Sequence, residues 1–395
     1  MIDWRQKIDD EIAHLSSDLV KIRRYLHSHP DPSREEQATA HFVGERLSAA
    51  GLEVKSVLGG RGLIAHSTTE NPHPCIALRA DMDALWIQDR KEVSYRSTRD
   101  GVMHACGHDA HTAIVMGAAL ALHRCELDLP FPISWRAIFQ PAEEVGEGAR
   151  EMVEAGAVEG VDSILALHVA PDLPTGSLAL RDGVMTAYCQ AVQVTIRGLG
   201  GHGARPHLAH DPIAAAAQFL NLVYQSIPRF HNAHDPVVVS FGSIHGGNSP
   251  NVIPDLVQLN GTIRTLGSHS AEKVRERLSQ IASGVTQTSH CPFEVTFDAA
   301  TDAVENDPRV SKVCRTAAAE VVGPDQVKEI PVPSMGGEDF SGYLKRVPGC
   351  LLRLGVAGDS TWPLLHSPHF DIDETAIALG ARVLARSLVL LASGY

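Results

Sequence analysis

The chain lacks a membrane-length apolar run, a disulfide framework and a basic patch, and each absence closes off a class of function. By inspection no segment approaches the ~18 consecutive apolar residues of a membrane helix, so a bilayer is not an expected partner. The first residues, MIDWRQKIDDEI, have none of the apolar core of a signal peptide, and cytoplasmic residence is expected. Seven cysteines in 395 residues form no framework, and their odd number fits a reducing compartment where thiols stay free for other work. A formal charge of −13 with no Lys/Arg run argues against nucleic acid or an anionic membrane surface, whose binding needs clustered cations. Fixed-period repeats and low-complexity tracts are missing too, which excludes a solenoid or a disordered scaffold.

What is present is an ordinary globular composition, 44% apolar and 21% charged, at a length that suits about two domains. Ile8, Ile12, Leu15, Leu19, Ile22 and Leu26 recur at helical spacing and predict an amphipathic helix ending before Pro30. Ser33 with Glu36 predicts a capping box for a second helix, which Gly51 ends. Apolar runs at 75–78, 133–139 and 163–167, separated by helical pattern such as 110–122, predict buried strands of an α/β sheet. From about Tyr188 the texture changes to half-exposed alternation at Val192, Val194 and Ile196. A helix at 212–225, strands at 237–241 and 257–265, a helix at 271–285 and a strand at 293–297 complete a βαββαβ order, the ferredoxin-like split unit. A helix at 310–321, the loop SMGGEDF, a strand at 350–354 and a helix from Glu374 return to the first texture. The expected architecture is α/β: a catalytic domain split into 1–186 and 300–395, its mixed central sheet flanked by helices, carrying an inserted ferredoxin-like domain at 187–299.

The chemistry gathers around MHACGHDAHT, where Cys106 and His108 stand two apart with Asp109 and His111 beside them. Two ligands so spaced cannot close a four-ligand zinc site, so others must come from elsewhere. Asp81 and Asp83 follow the first predicted strand, Glu143 and Glu144 of QPAEE the second, His168 of ALHVA the third, and His366 lies in LLHSPHF. Open α/β sheets place their sites at such strand ends. Each residue has a plainer reading. Cys106 suits a buried apolar position, the Glu pair a solvated turn, and His168 and His366 satisfied structural imidazoles. His104 and His111 read equally as ligands or as partners of ligands. The combination of thiolate, carboxylate and three imidazoles suits Mn, Zn, Co or Ni better than Mg or Ca. Five ligands exceed one open tetrahedral ion and fit a two-ion site bridged by Cys106, with one of the paired glutamates left to face the substrate water.

MHACGHDAHT, FQPAEE, LALHVAPDLPTG, GLGGHGARPH, NVIPD, GTIRT, MGGEDF and LLHSPHF, in this order, resemble the metal-dependent amidohydrolases that include hippurate hydrolase, plant auxin-conjugate hydrolases and bacterial N-acyl-amino-acid amidohydrolases, relatives of aminoacylase and carboxypeptidase G. The resemblance implies that Cys106, His108, Glu144, His168 and His366 bind two divalent ions and that Glu143 is the general base. Asp83 in RADMDAL would orient a ligand imidazole. The inserted domain would be a dimerisation or lid domain, making a homodimer or higher homo-oligomer, with His202 reaching an active site to polarise the scissile carbonyl. Asn251 would help the oxyanion and Arg264 anchor the substrate carboxylate, while Gly336 and Gly337 let backbone approach substrate. On their own, His202 and Arg264 read as a solvated loop histidine and an unengaged strand-end arginine. Trp86 stands where similar enzymes have Pro, and Gly203 where they have Ala, which bears on specificity.

The implied reaction is amide hydrolysis of a small N-acyl amino acid to a carboxylic acid and a free amino acid. A deacetylase of the N-acetyl-diaminopimelate or N-acetylcysteine type, or a dipeptidase, shares this chemistry. A hydrolase using Cys106 as nucleophile and a non-catalytic metal-binding protein are rivals from other classes, and the presence of Glu143 speaks against the latter.

Overall fold

The computed structural model describes residues 3–67 and 74–394. The chain divides into two units: Met1–Met185, Val304–Val332 and Glu338–Tyr395 form the first, Thr186–Ala303 and Pro333–Gly337 the second.

The first unit opens with α1 (Trp4–Ser28), whose stripe of Ile8, Ile12, Leu15, Leu19, Ile22 and Leu26 is buried, and α2 (Gln37–Ala49). There follow β1 (Glu53–Val57), β2 (Gly62–His66), β3 (Cys75–Asp81), α3 (His108–Arg124), β4 (Ser134–Gln140), α4 (Gly148–Glu154), β5 (Ser163–Pro174), β6 (Leu178–Leu180) and β7 (Gly183–Val184). The second unit supplies β8 (Tyr188–Arg197), β9 (Gly201–His202), α5 (Pro212–Phe230), β10 (Val237–His245), β11 (Val252–Ile253), β12 (Leu256–Thr265), α6 (Ser268–Ser289) and β13 (Phe293–Phe297). The chain returns to the first unit through β14 (Glu305–Asn306), α7 (Pro308–Val322), β15 (Val327–Glu329), α8 (Ser341–Leu344), β16 (Gly349–Ala357) and α9 (Thr375–Ala392).

The main sheet is mixed, in the order β1-β2-β4-β3-β5-β16-β6-β15, with β4, β3, β5 and β16 parallel. Alternate residues of β3 feed two cores. Ile76, Leu78 and Ala80 join α1, α3 and α9 on one face, while Cys75 and Ala77 join Met152 of α4 and Tyr343 of α8 on the other. A strand covered on both faces reads as a continuous apolar run, which is why it stood out in the sequence. The second unit is a four-stranded antiparallel sheet, β10-β12-β8-β13, packed by α5 and α6 around an apolar core that includes Val194, Phe219, Val257 and Leu278. This is the ferredoxin-like order expected from the βαββαβ pattern.

Two local expectations are corrected. There is no capping box at α2: Ser33 Oγ donates to Asp83 Oδ2 (2.7 Å), and Glu36 Oε1 accepts from the amides of Arg34 (2.7 Å) and Ala142 (2.9 Å). Both side chains have stronger tertiary partners than the helix end offers. Second, β5 continues to Pro174, so His168 sits within a strand and not after it. The register pairs Arg79 with Ala166, and two residues further along each strand Asp81 and His168 stand level at the end of β3. By length and composition α9 could cross a membrane, although Arg382 and Arg386 interrupt its apolar run. It is a core helix, mostly buried against α1, α3 and α7, and its Arg386 pairs with Asp9 at 2.7 Å.

Candidate metal centre

The turn between Cys106 and His108 depends on Gly107. Its φ of 90° is left-handed, and a Cβ there would lie 2.3 Å from Val169 Cγ2, so conformation and space both require glycine. Cys106 and His108 are buried on either side of it. His108 Nδ1 faces the Asp83 carbonyl oxygen (2.9 Å) and Oδ1 (3.2 Å), which assigns the ring proton to Nδ1 and leaves Nε2 an acceptor. That Nε2 is buried without a hydrogen-bond partner, 3.8 Å from Glu144 Oε1, which is itself buried and unpartnered. Two converging buried acceptors cost about 1–3 kcal/mol each unless something donates between them, and a cation meets both.

Cys106 Sγ lies 3.4 Å from His168 Nε2, and His168 Nδ1 donates to the Val169 carbonyl at 2.8 Å, so this ring also points its lone pair inward. Cys106, His108 and His168 form one candidate ligand set and Cys106, Glu144 and His366 another, with the donor atoms of each set within 4.8 Å of one another. Cys106 belongs to both. Asp83 supports two members at once, since its Oδ2 also accepts the Glu144 amide at 3.0 Å. His366, half exposed, is tied through its amide to the Ala105 carbonyl (2.8 Å). His366 and Ala142, the residue before Glu143, have left-handed φ values of 62° and 56°. Each costs a non-glycine residue about 1–3 kcal/mol, strain that gathers at functional sites.

His111 resolves the alternative left open for it. Its Nδ1 meets Asp81 Oδ1 at 2.6 Å and its Nε2 accepts the Val169 amide at 2.9 Å, so neither nitrogen is free for an ion. The other Asp81 oxygen accepts from Arg79 at 2.6 Å. Arg79 is fully buried and also donates to Gln140 Oε1 (2.8 Å), Glu338 Oε1 (3.1 Å) and Asp339 Oδ1 (2.9 Å). The sequence reading missed this hub and the Glu338–Asp339 pair. The available signal was a lone arginine inside the apolar run CIALRAD, which a buried strand tolerates only when it is paired.

The field around these residues is strongly negative. Burial alone would lower the His108 pKa, yet the Asp81 carboxylate outweighs it and holds the ring well above its ordinary value. A proton is drawn there as a cation would be. Burial, then the Glu144 charge, pushes the Cys106 thiol well up, so without a cation it remains a thiol. This weighs against Cys106 as a free nucleophile. Glu144 is pushed up to about 7, chiefly by burial. Glu143 is held well above the usual carboxyl range by burial and by Glu338, Asp339 and Glu144, and its Oε1 accepts the Asp339 amide at 3.4 Å. It stands 3.9 Å from His108 Nε2, outside the two groups that contain Cys106, but it forms further candidate groups with His108 and Glu144 and with Glu338 and Asp339.

The remaining candidates lie in the second unit, apart from His104, buried with neither ring nitrogen hydrogen-bonded, and Trp86, which is 69% exposed with Arg99 over its ring. β9 pairs with β11, setting His202 opposite Val252, and the Gly203 amide donates to the Asn251 carbonyl at 2.8 Å. A Cβ at Gly203 would stand 3.0 Å from that carbonyl oxygen, so the glycine permits the tight approach. His202 Nδ1 accepts the Ala204 amide (3.1 Å), and Ser249 Oγ donates to Asn251 Oδ1 (2.7 Å); both residues are exposed. Arg264 donates to the Met335 carbonyl at 2.9 Å and lies 3.6 Å from Cys189 Sγ. Gly336 accepts the Ala187 amide at 2.9 Å, and a Cβ at Gly337 would stand 3.1 Å from Cys189 Sγ. Two clusters result: His202 with Asn251, and Arg264 with the 335–337 segment.

A mixed α/β unit with a Cys/His/Glu centre and an adjacent carboxylate defines the chain as a metallo-hydrolase. Residues 77–389 match the model of peptidase family M20/M25/M40, and the chain belongs to that family. It is 40% identical to the "Probable hydrolase sll0100" of Synechocystis over 93% of this chain and 94% of that one. It is 36% identical to the N-acetyl-L-cysteine deacetylase of Bacillus subtilis over 95% of this chain and 88% of the relative. Among solved structures, the YXEP protein of Bacillus subtilis, described as a dinuclear metal-binding peptidase of family M20, superposes with a TM-score of 0.82. That match is at 31% identity and covers 97% of this chain and all of that one.

Proposed function

We propose that the chain hydrolyses the amide bond of small N-acyl amino acids, releasing a carboxylic acid and a free amino acid. The observation that carries this reading is the pair of unpartnered buried acceptors, His108 Nε2 and Glu144 Oε1, aimed at a thiol shared by two ligand sets. Cys106, His108 and His168 would hold one ion and Cys106, Glu144 and His366 the other, drawn from Mn, Zn, Co or Ni. Such ions, when bound, supply Lewis acidity that polarises a carbonyl and acidifies water. Glu143 then accepts the proton of the attacking water on one carboxylate oxygen and returns it to the leaving amine nitrogen. Burial, then Glu338, Asp339 and Glu144, raises its carboxyl well above the usual range, which strengthens the carboxylate as a base and suits it to carry the proton onward. His202 and Asn251 are assigned to the developing oxyanion, Arg264 to the substrate carboxylate through its planar fork, and Gly336 and Gly337 to close backbone contact.

The halves at 1–186 and 300–395 serve as the catalytic domain and the insertion at 187–299 as the lid through which copies dimerise, in a cytoplasmic enzyme. Trp86 and Gly203 are assigned to specificity. The deacetylase activity named for the Bacillus relative makes N-acetyl amino acids the first substrates to try. The test strips the enzyme with a chelator and reconstitutes it ion by ion. Activity is then assayed on hippurate, N-acetyl and long-chain N-acyl amino acids, with metal content measured on the same samples. Full activity of the stripped protein would overturn the reading and restore the Cys106 nucleophile.

A further inference from the structure

The five ligands are not held equally. His108 and His168 each lock one ring nitrogen on a protein oxygen, Glu144 is fixed through its amide on Asp83, and Cys106 is pinned by the Gly107 turn. Among the described residues, the ring of His366 has no hydrogen-bond partner, and the segment after it, up to Glu374, has no regular structure. Its position depends on what anchors that segment. Beside the His366 amide on the Ala105 carbonyl and the Arg90 amide on the Pro368 carbonyl (2.9 Å), the anchor is a buried ion network that the mechanism does not otherwise use. Arg23 of α1 is 0% exposed and spends its guanidinium on three acids: Nε on Asp109 Oδ2 (2.9 Å), Nη2 on Asp371 Oδ1 (2.8 Å) and Nη1 on Glu374 Oε1 (3.2 Å). Asp109 follows His108 in α3, while Asp371 and Glu374 close the segment that carries His366. The far oxygen of Asp371 takes Tyr95 Oη (2.8 Å) and its carbonyl takes Trp362 Nε1 (2.7 Å). Lys91 Nζ adds a bond to the Phe370 carbonyl (2.8 Å) and meets His27 Nε2 at 2.7 Å, with His27 Nδ1 on Asp109 (2.7 Å).

We infer that Arg23 is a positioning residue that sets His366 against the rest of the centre, gripping the start of α3 and the His366 segment with one rigid fork. The inference rests on the two-ion reading given above. Its consequence is selective: loosening the grip weakens the ion held by Cys106, Glu144 and His366 and spares the one held by Cys106, His108 and His168. A lysine cannot substitute, because one ammonium cannot reach three carboxylates in a fixed plane.

The test titrates Co2+ into the stripped full-length protein and its D371N variant, following the d–d bands and the thiolate-to-cobalt charge-transfer band together with metal stoichiometry. D371N leaves Arg23 paired with Asp109 and Glu374, so it is the milder change, and R23K serves as the stronger one. D9N, which removes a different partner of α1 by breaking the Asp9–Arg386 pair, is the control for general destabilisation. The expected result is two equivalents in the wild type, with the second weakened about 10–100-fold in D371N and more in R23K, the size of effect typical of groups that orient ligands. The first equivalent and its thiolate band stay unchanged, and D9N behaves as wild type. Equal weakening of both equivalents, no weakening, or the same change in D9N overturns the inference. Fewer than two equivalents in the wild type overturns the two-ion reading itself.

Discussion

The two units solve opposite problems. Among the described residues, every buried Asp, Glu, His, Lys and Arg lies in the first unit, whereas the second buries only Thr186, Thr265 and Ser270 among its polar side chains. Burying charge is expensive and is tolerated where partners are complete, as around Arg79 and Arg23. The first unit thus couples its chemistry to its stability. The second has an apolar core and keeps His202 and Asn251 on its surface, where a change should leave the fold intact.

The largest expected effect is at Glu143. Glu143→Gln should keep both ions in an elemental assay yet lose about 10²–10⁴-fold in kcat, the usual weight of a general base. Near-normal turnover of a metal-loaded variant would remove Glu143 from its role. Next comes Arg79→Met, which leaves Asp81, Glu338 and Asp339 uncompensated and should cost about 3–5 kcal/mol in urea unfolding. A loss under about 1 kcal/mol would show that the buried hub does not carry the first unit. His202→Ala sharpens the contrast from the other side: about 10²–10³-fold lower kcat with an unchanged Tm and unchanged metal content. A fall in Tm matching the Arg79 variant would break the comparison.

The smallest effect is acid sensitivity confined to the first unit. Burial would raise Asp89, but His27 and the amides of Lys91 and Ser97 outweigh it and hold the carboxyl at about 2. Asp109 is likewise held well below the ordinary carboxylate range, because Arg23 and His27 overcome its burial. Carboxyls depressed below their unfolded value near ~3.9 stabilise the fold above that pH and lose this contribution as pH falls through the folded values. Asp89 alone accounts for roughly 2 kcal/mol lost between about pH 4 and pH 2. Trp4, Trp86, Trp135 and Trp362 all belong to the first unit, so tryptophan emission reports it alone. That emission should shift over this window, and the shift should shrink in Asp89→Asn. Unchanged emission down to pH 2 would contradict the sign.

Much of the fold was legible because its strands are buried on both faces and its helices carry clean stripes. The Cys106–His108 pair was legible because a glycine turn compresses two candidate ligands into three residues. His168 was misplaced because the polar and proline-containing continuation after ILAL hides seven further residues of strand from pattern reading. The Ser33 and Glu36 motif misled because its side chains were already committed to Asp83 and to distant amides. Arg79, Arg23 and their carboxylates were missed because a charge network closes only in three dimensions: Arg23 and Asp371 are 348 positions apart.

Strand order also dictates a timetable. β16 sits between β5 and β6, and α9 covers α1 and α3, yet both are made from the last 47 residues, Gly349 to Tyr395. During synthesis the second unit has nearly all of its chain, Thr186–Ala303, while the first still has an open seam in its sheet. His366 emerges into that same final stretch. The proposed set Cys106, His108 and His168 therefore leaves the ribosome long before His366, and the proposed second set waits on the segment that carries that histidine.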